Sequence, residues 1–516
     1  MKKDKSPFIL HPLLFGIYPV LILLANNFNE LLWTNSIRSL ISSGILSLVI
    51  YLTLLLFLKS PQKAALLALI LLILFYSYGH LYYLLRNVAF GDFVLGHHRF
   101  LGPIYLIAGI LAVWLTIRIR RDTSRLTVIL NFAGIVLVVF PLIQILISIV
   151  LTGRAAASHI VSLEEPAPSK LPTSPNVYYI LVDGYPRADF IQKYMGLDIS
   201  PFINTLSQVG FFVPTCSQAN YTDTRFSMAS TLNMTYLDRS TGDPEVLYSG
   251  YELDFMIKEN LVQEIFTDLG YTIVTFESGY RWLDWENSDF HLRPSLSREN
   301  TFFNVRLNEF EQLLLDTSLG KLILDTQFLL TQDALSPIRR IVHGPREAHR
   351  NRVLFTLDEL PRLEQTIPSS KFVYAHIVFP HPPFIVDASG NPLNNDPPNE
   401  LAAYAEQIRY LNSRLIAIVD SIIRNSVSPP IIIIQGDHGA TIDYDKHNIP
   451  ESERLGIFSA YYLPGIDYGV LQETFSPVNN FRLIFDTYFE GNYGLLEDRS
   501  IIGRQSPYTR ISCVGK

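Results

Sequence analysis

The sequence predicts a five-helix transmembrane domain followed by an exported α/β domain with a mostly parallel sheet covered by helices. Three observations carry this reading. Five apolar stretches crowd the first third of the chain, at roughly 7–25, 36–58, 62–84, 100–119 and 126–151. The charge divides at the same place: the first 155 residues hold 13 Lys/Arg and 4 Asp/Glu, a balance of +9, and the remainder balances at −16. Beyond residue 176, short β-rich apolar runs alternate with amphipathic stretches.

Crossing a bilayer takes about 20 mostly apolar residues, because every backbone polar group has to be satisfied within the helix. The whole chain of 516 residues is only 17% charged and has a mean hydropathy of +0.21, where a soluble protein carries about 25% charged residues. Lys2, Lys3 and Lys5 before the first apolar run imitate a signal peptide, but no small-residue cleavage site follows and four more spans do. With the N-terminus in the cytoplasm, the inner segments hold Lys2, Lys3, Lys5, Lys59, Lys63, Arg118, Arg120, Arg121 and Arg125, and the outer ones only Arg38, Arg86 and Arg99. That bias matches the positive-inside rule. Five spans then put everything after 151 outside the plasma (inner) membrane. His80, near the end of the third span, reads as a snorkelling side chain.

The membrane domain is taken as 1–154, the linker as 155–175 (AAASHIVSLEEPAPSKLPTSP here from 155 on), and the exported domain as 176–516. Cys216 and Cys513 are the two cysteines, both in the exported part, where a disulfide is permitted. The composition excludes a disordered chain, a coiled coil and a disulfide-stapled miniprotein. The acidic second part argues against a nucleic-acid partner.

The apolar runs of the exported domain are Val177–Val182 (VYYILV), 271–276 (YTIVTF), 372–379 (FVYAHIVF), Ile431–Gln435 (IIIIQ) and 458–463 (FSAYYL), with amphipathic stretches such as 251–269 and 400–424 between them. Strands apolar on both faces and separated by helices indicate a covered parallel sheet. Polar residues follow three of these runs: Asp183–Gly184, Pro380–His381, and Gly436–Asp437–His438–Gly439. Ligands of open α/β sheets bind beyond the carboxyl ends of the strands, and a mixture of carboxylate and imidazole suits Zn²⁺ or Mn²⁺, with Mg²⁺ as a further choice. An Asp-Gly after a strand is often a simple turn. Adjacent Asp and His after four isoleucines are harder to explain without a ligand. The segment 220–233 (NYTDTRFSMASTLN) is rich in hydroxyls and opens a helix-like run, where a threonine oxygen can sit at a helix N-terminus or merely cap it.

Strand–Asp–Gly, then Thr-x-x-Ser opening a helix, then His-x-Pro-Phe, then strand–Gly–Asp–His–Gly resembles the alkaline phosphatase/sulfatase superfamily. Five spans followed by an exported domain is most similar to its lipoteichoic acid synthase and phosphoethanolamine transferase branch. The resemblance implies Thr224 as the nucleophile that becomes covalently phosphorylated, with Thr222 as its fallback. It implies Asp183, Thr224, Asp437 and His438 as ligands of a divalent metal and His381 as a contact to the transferred group. Ser227, Asn220 and His447 are assigned to substrate binding. Sulfatases carry Cys or Ser in a Cys/Ser-x-Pro-Ser-Arg motif, whereas Arg225–Phe226–Ser227–Met228 follows Thr224 here, so sulfate-ester hydrolysis is disfavoured. The teichoic acid synthases have Glu where this chain has Asp183, so the donor does not carry across.

The implied reaction is transfer of a phosphate-linked headgroup from a lipid or lipid-linked donor at the outer membrane face. Tyr221, Tyr280, Trp282 and Trp285 are either a wall for that substrate or core. Two other functions stay open: hydrolysis of phosphate esters or diesters at the same site, and a non-catalytic membrane-anchored binding protein.

Overall fold

A computed structural model describes residues 7–158, 168, 175–237, 250–294, 307–325 and 344–502, apart from 29, 32, 87, 91, 92, 121 and 396. Two compact units emerge: Met1–Leu151 with Asn300–Pro345, and Thr152–Glu299 with Arg346–Lys516. The second unit is therefore interrupted, where the sequence reading drew it as one run from 176.

The first unit contains the helices α1 (His11–Asn26), α2 (Ile37–Leu58), α3 (Pro61–Leu85), α4 (His98–Arg118) and, as far as Leu151, α5 (Ser124–Ser158), with a short hairpin of β1 (Ala89–Phe90) and β2 (Phe93–Val94) between α3 and α4. Lys59, left-handed at φ 52°, ends α2, and Pro61 opens α3 two residues later. Four of these helices are long and apolar enough to cross a membrane: Trp33–Leu58, Pro61–Leu85, His98–Arg118 and Ser124–Leu151. The expected count of five is corrected here. The first apolar stretch yields a helix of 16 residues, about 24 Å long at 1.5 Å per residue against a hydrocarbon core of about 30 Å. α5 runs to Ser158, into the expected linker, and the rest of that linker lies almost wholly outside the described residues.

Polarity in this unit is inverted. Phe57, Leu106 and Phe132 are 78%, 66% and 69% exposed, while Ser39, Ser43 and Ser47, one turn apart on α2, are buried. Small residues let apolar helices approach closely: the Ser43 hydroxyl donates to the Gly16 carbonyl at 2.5 Å, and a Cβ on Gly16 would lie 1.7 Å from Ser47 Oγ. His80 is exposed. The helix Glu309–Asp316, with a capping box between Asn308 and Glu311, also belongs to this unit. Asn308 Nδ2 donates to Asn35 O at 3.0 Å, Arg38 pairs with Glu311, and Leu319 N–H donates to Phe75 O at 2.7 Å.

The second unit is built on a six-stranded mixed sheet. Its strands are β3 (Val177–Val182), β4 (Thr272–Phe276), β5 (Phe290–Leu292), β6 (Lys371–Ile377), β7 (Ile431–Gln435) and β8 (Ser459–Tyr462). Their order is β5-β4-β6-β3-β7-β8; all neighbours are parallel except β7 and β8. The five apolar runs are all strands, with ends shifted by at most two residues. β5 was not foreseen; at three residues it has no apolar run to signal it.

β3 is buried on both faces, and its alternation divides the core. Tyr178, Ile180 and Val182 join the cluster that takes in α6 (Ala188–Met195), α7 (Ser200–Val209) and the long helix Glu400–Asn425. Val177, Tyr179 and Leu181 join the opposite one, with α8 (Thr224–Leu232) and the helices Leu261–Asp268 and Asn480–Tyr488. Cys216 is disulfide-bonded; Cys513, the chain's other cysteine, lies outside the described residues.

Candidate metal centre

Three neighbouring parallel strands end at one edge: Asp183 follows β3 at once, Gly436–Asp437–His438 follows β7, and the loop after β6 carries His381 beyond Val378, Phe379 and Pro380. Asp183 follows β3, and its N–H continues the ladder to Ile377 O on β6 at 2.9 Å. The next residue, Gly184, has φ +70°, and a Cβ on it would stand 2.6 Å from Tyr404 Oη. Only glycine therefore turns the chain here, and its N–H donates to Asp437 Oδ1 at 3.0 Å. The β3 turn thus holds a carboxylate delivered by β7.

Ligand atoms of Asp183, Asp437 and His438 all lie within 4.8 Å of one another, and all three residues are buried. His438 Nδ1 donates to the Gly439 carbonyl at 2.7 Å, which in a neutral ring leaves the Nε2 lone pair free to ligate. Nε2 lies 3.7 Å from Asp183 Oδ1 and 3.5 Å from Asp437 Oδ2. Among the described residues neither of those two buried oxygens has a hydrogen-bond partner. Two buried carboxylate oxygens without donors are costly unless a cation meets them. The donor set fits a divalent ion, and its mixture of two carboxylates and an imidazole suits Zn²⁺ or Mn²⁺.

Thr224 is the first residue of α8, after the N-cap Asp223. Its Oγ1 lies 3.1 Å from His438 Nε2, so the hydroxyl and the helix N-terminus come up against the cluster of Asp183, Asp437 and His438. His381 donates its backbone N–H to Asp183 O at 3.2 Å, and its ring Nδ1 lies 2.5 Å from Pro382 O.

The sequence reading missed His376. It lies within β6, in register with Leu181 of β3, and its Nε2 is 3.3 Å from Asp183 Oδ2, while Nδ1 is 3.3 Å from Tyr374 Oη. The available signal was an imidazole inside a run otherwise apolar on both faces. Burial pushes the Asp183 carboxyl upward, but the charges of His381, His438 and His376, with the His376 hydrogen bond, outweigh it and hold the group well below the usual carboxylate range. Burial pushes His376 down, and the bond and charge of Asp183 more than offset that, raising it.

The other assigned residues lie elsewhere. Ser227 is buried, and its hydroxyl donates to Tyr221 O at 2.9 Å. Asn220 is a clip: Nδ2 donates to Ser476 Oγ at 2.6 Å and Arg499 O at 2.8 Å, and Oδ1 accepts from Val478 N–H at 2.9 Å. His447 Nε2 pairs with Glu400 Oε2 at 3.0 Å. Thr222 is half-buried, and no described hydrogen bond joins it to the cluster. Among the aromatics, Trp285 stacks on Tyr374 at 4.2 Å and Tyr221 Oη accepts from Leu237 N–H, so both are core. The Trp282 ring carries the Arg225 guanidinium at 4.3 Å, and Tyr280 packs beside Trp282 at 6.0 Å.

No protein-family model matches the chain, and no curated protein matches it. Among solved structures it is similar to the integral membrane lipooligosaccharide phosphoethanolamine transferase A of Neisseria meningitidis, at 10% identity and a TM-score of 0.40, covering 92% of this chain and 95% of that one. A lipoteichoic acid synthase of Listeria monocytogenes aligns at 14% identity and TM-score 0.35, covering 59% and 70%. A protein in the alkaline phosphatase superfamily from Vibrio parahaemolyticus aligns at 13% and 0.36, covering 64% and 73%. At TM-scores this low none of these likenesses carries the functional reading, which rests on the residues themselves.

Proposed function

We propose that this chain is a membrane-embedded, divalent-metal-dependent transferase of the alkaline phosphatase/sulfatase type. It moves a phosphate-linked headgroup from a lipid donor through a covalent threonine intermediate. The observation that carries the reading is the placing of Thr224 Oγ1 3.1 Å from His438 Nε2, in a cluster whose two carboxylates offer unpartnered oxygens.

Asp183, Asp437 and His438 would hold the ion, with Thr224 beside it. A divalent cation supplies positive charge that favours the alkoxide and offsets the oxygens of a phosphate. The Thr224 oxygen attacks phosphorus, the Oγ–P bond forms, and the bond to the leaving group breaks. The first N–H groups of α8 and the positive end of its dipole face the developing charge. His381 passes a proton to the leaving oxygen or holds a non-bridging one. An acceptor hydroxyl then releases the group from Thr224; water in that role makes the enzyme a hydrolase. Ser227 and Asn220 serve the reaction by fixing the segment that carries Thr224, and His447 stands at the N-terminus of the Glu400 helix.

Orientation follows without α1. The α2–α3 turn and the helix end beside it carry Lys59 and Lys63, and the α4–α5 turn and its flanking helix ends carry Arg118, Arg120, Arg121 and Arg125. Both short turns lie on one side, so the positive-inside bias puts them in the cytoplasm and the chain after α5 on the extracytoplasmic side.

The test uses the full-length protein with headgroup-labelled phosphatidylethanolamine or phosphatidylglycerol. Label passing to a second lipid or glycan supports transfer, label released only as water-soluble product supports hydrolysis, and no turnover with metal bound refutes both.

A further inference from the structure

We infer that Arg346, His349 and Arg352 form an anion subsite that holds a phosphate group of the substrate beside the metal centre, on the side of β4 and β6. The inference rests on the transferase reading above and names the chemistry that its substrate must present.

The three residues lie on the helix Gly344–Glu359 at intervals of three, which keeps them along one side of it. Its later residues Val353 and Leu357 are core. Its earlier turns lie against the loops that leave the sheet at the carboxyl edge. Arg346 Nη1 donates at 2.6 Å to the carbonyl of Phe384, in the same His-Pro-Pro-Phe loop as His381. The Arg352 guanidinium covers Gly279, in the loop after β4, so closely that a Cβ there would lie 2.6 Å from its Nε. Both side chains therefore reach the edge of the sheet where Asp183 and His381 stand.

Between them sits His349, 7% exposed. Its Nε2 is buried and has no hydrogen-bond partner among the described residues. A buried ring nitrogen without a partner is rare and costs free energy. Burial first, and then the charges of Arg352, His381 and Arg346, push this imidazole down to about 3, with Asp183 pulling the other way. The ring thus lies within electrostatic reach of the metal-site aspartate, among cations. A phosphate oxygen entering here would meet two guanidiniums and supply the missing partner of Nε2, and guanidinium is the group best shaped for phosphate oxygens.

Phosphate of this kind belongs either to the donor or to the acceptor, and two arms separate them. In the first, inorganic phosphate is titrated into the metal-loaded full chain in detergent and, separately, into metal-stripped protein. Arg352→Gln, Arg346→Gln and His349→Phe should each weaken phosphate binding about tenfold, the scale of one charge-assisted hydrogen bond, with metal content unchanged. Arg350→Gln is the control: its Nη1 meets Leu393 O at 3.5 Å, and binding should not move. Arg352→Lys keeps the charge and should recover part of the loss, which a folding defect would not do. In the second arm, the rate of labelling of Thr224 by phosphatidylethanolamine is measured in each variant. A parallel fall assigns the subsite to the donor; an unchanged rate with weakened phosphate binding assigns it to the acceptor. Phosphate affinity equal to wild type in all three variants overturns the subsite. No labelling of Thr224 in wild type, with phosphate binding still lost in the variants, overturns the transferase reading and leaves the subsite standing.

Discussion

Thr224 Oγ1 and His438 Nε2 are 214 positions apart in the chain and 3.1 Å apart in space. The contact joins the N-terminus of α8 to the turn after β7, and it puts a hydroxyl against a nitrogen whose other neighbours are two carboxylates. Replacing Thr224 by Ala should therefore lower turnover by at least about a thousandfold while metal content in the purified protein stays near wild type. Activity surviving in that variant would remove Thr224 from the chemistry.

His376 positions Asp183 rather than touching the site directly. His376→Gln should reduce metal affinity or turnover by about 10- to 100-fold, the usual cost of losing a group that orients a ligand. Asp437→Ala and His438→Ala should leave the protein without stoichiometric metal. Elemental analysis of the three variants orders them, and a His376 variant with metal affinity and turnover both intact would contradict the assignment.

The same pair predicts a pH signature in metal-stripped protein. The folded pKa of His376 is raised, so its stabilising contribution is complete below the ordinary histidine value of about 6.5 and is lost as pH rises through the folded value. Asp183 is depressed, so its contribution is present above the ordinary carboxylate value of about 3.9 and lost as pH falls through the folded one. Above about pH 6.5 the stability difference between wild type and His376→Gln should shrink without metal. With metal present, wild-type affinity should instead rise with pH, because the ligands must be deprotonated. Thermal melts across pH, with and without metal, check both signs.

In the helical unit, Gly16→Val should destabilise packing, because its Cβ would fall 1.7 Å from Ser47 Oγ. Pairing it with Ser47→Gly should restore part of the loss. A shared effect in the double variant, read by thermal aggregation in detergent, tests this contact; strict additivity would contradict it.

Protease added to spheroplasts should cut the second unit, while a cysteine-reactive, membrane-impermeant label should miss a cysteine placed at Lys59. Full protection of the unit would reverse the topology.

The parallel sheet was legible because both faces of β3, β6 and β7 are buried, which wrote uninterrupted apolar runs into the sequence. The nearness of Asp183 to Asp437–His438 was legible because the first follows β3 directly and the pair follows β7 after a single glycine. His376 was hidden by lying inside one, where a polar residue is read as a tolerated exception. Ser227 and Asn220 stand in a hydroxyl-rich segment, and the hydrogen bonds described for them tie that segment to itself through Tyr221 O and to the chain at Ser476, Val478 and Arg499, which composition does not reveal. The helix count failed at α1, where apolar composition extends beyond the residues that take helical geometry. Arg346, His349 and Arg352 belong to no motif; only the fold of the helix onto the loops after β4 and β6 gives them a common address.

The most direct measurement is the mass of full-length, metal-loaded protein quenched during turnover with phosphatidylethanolamine, followed by fragment mapping. The account predicts a phosphate-containing adduct on the peptide bearing Thr224, absent after the metal is stripped and absent in Thr224→Ala. Turnover that proceeds with no adduct, or with one on another residue, would contradict it.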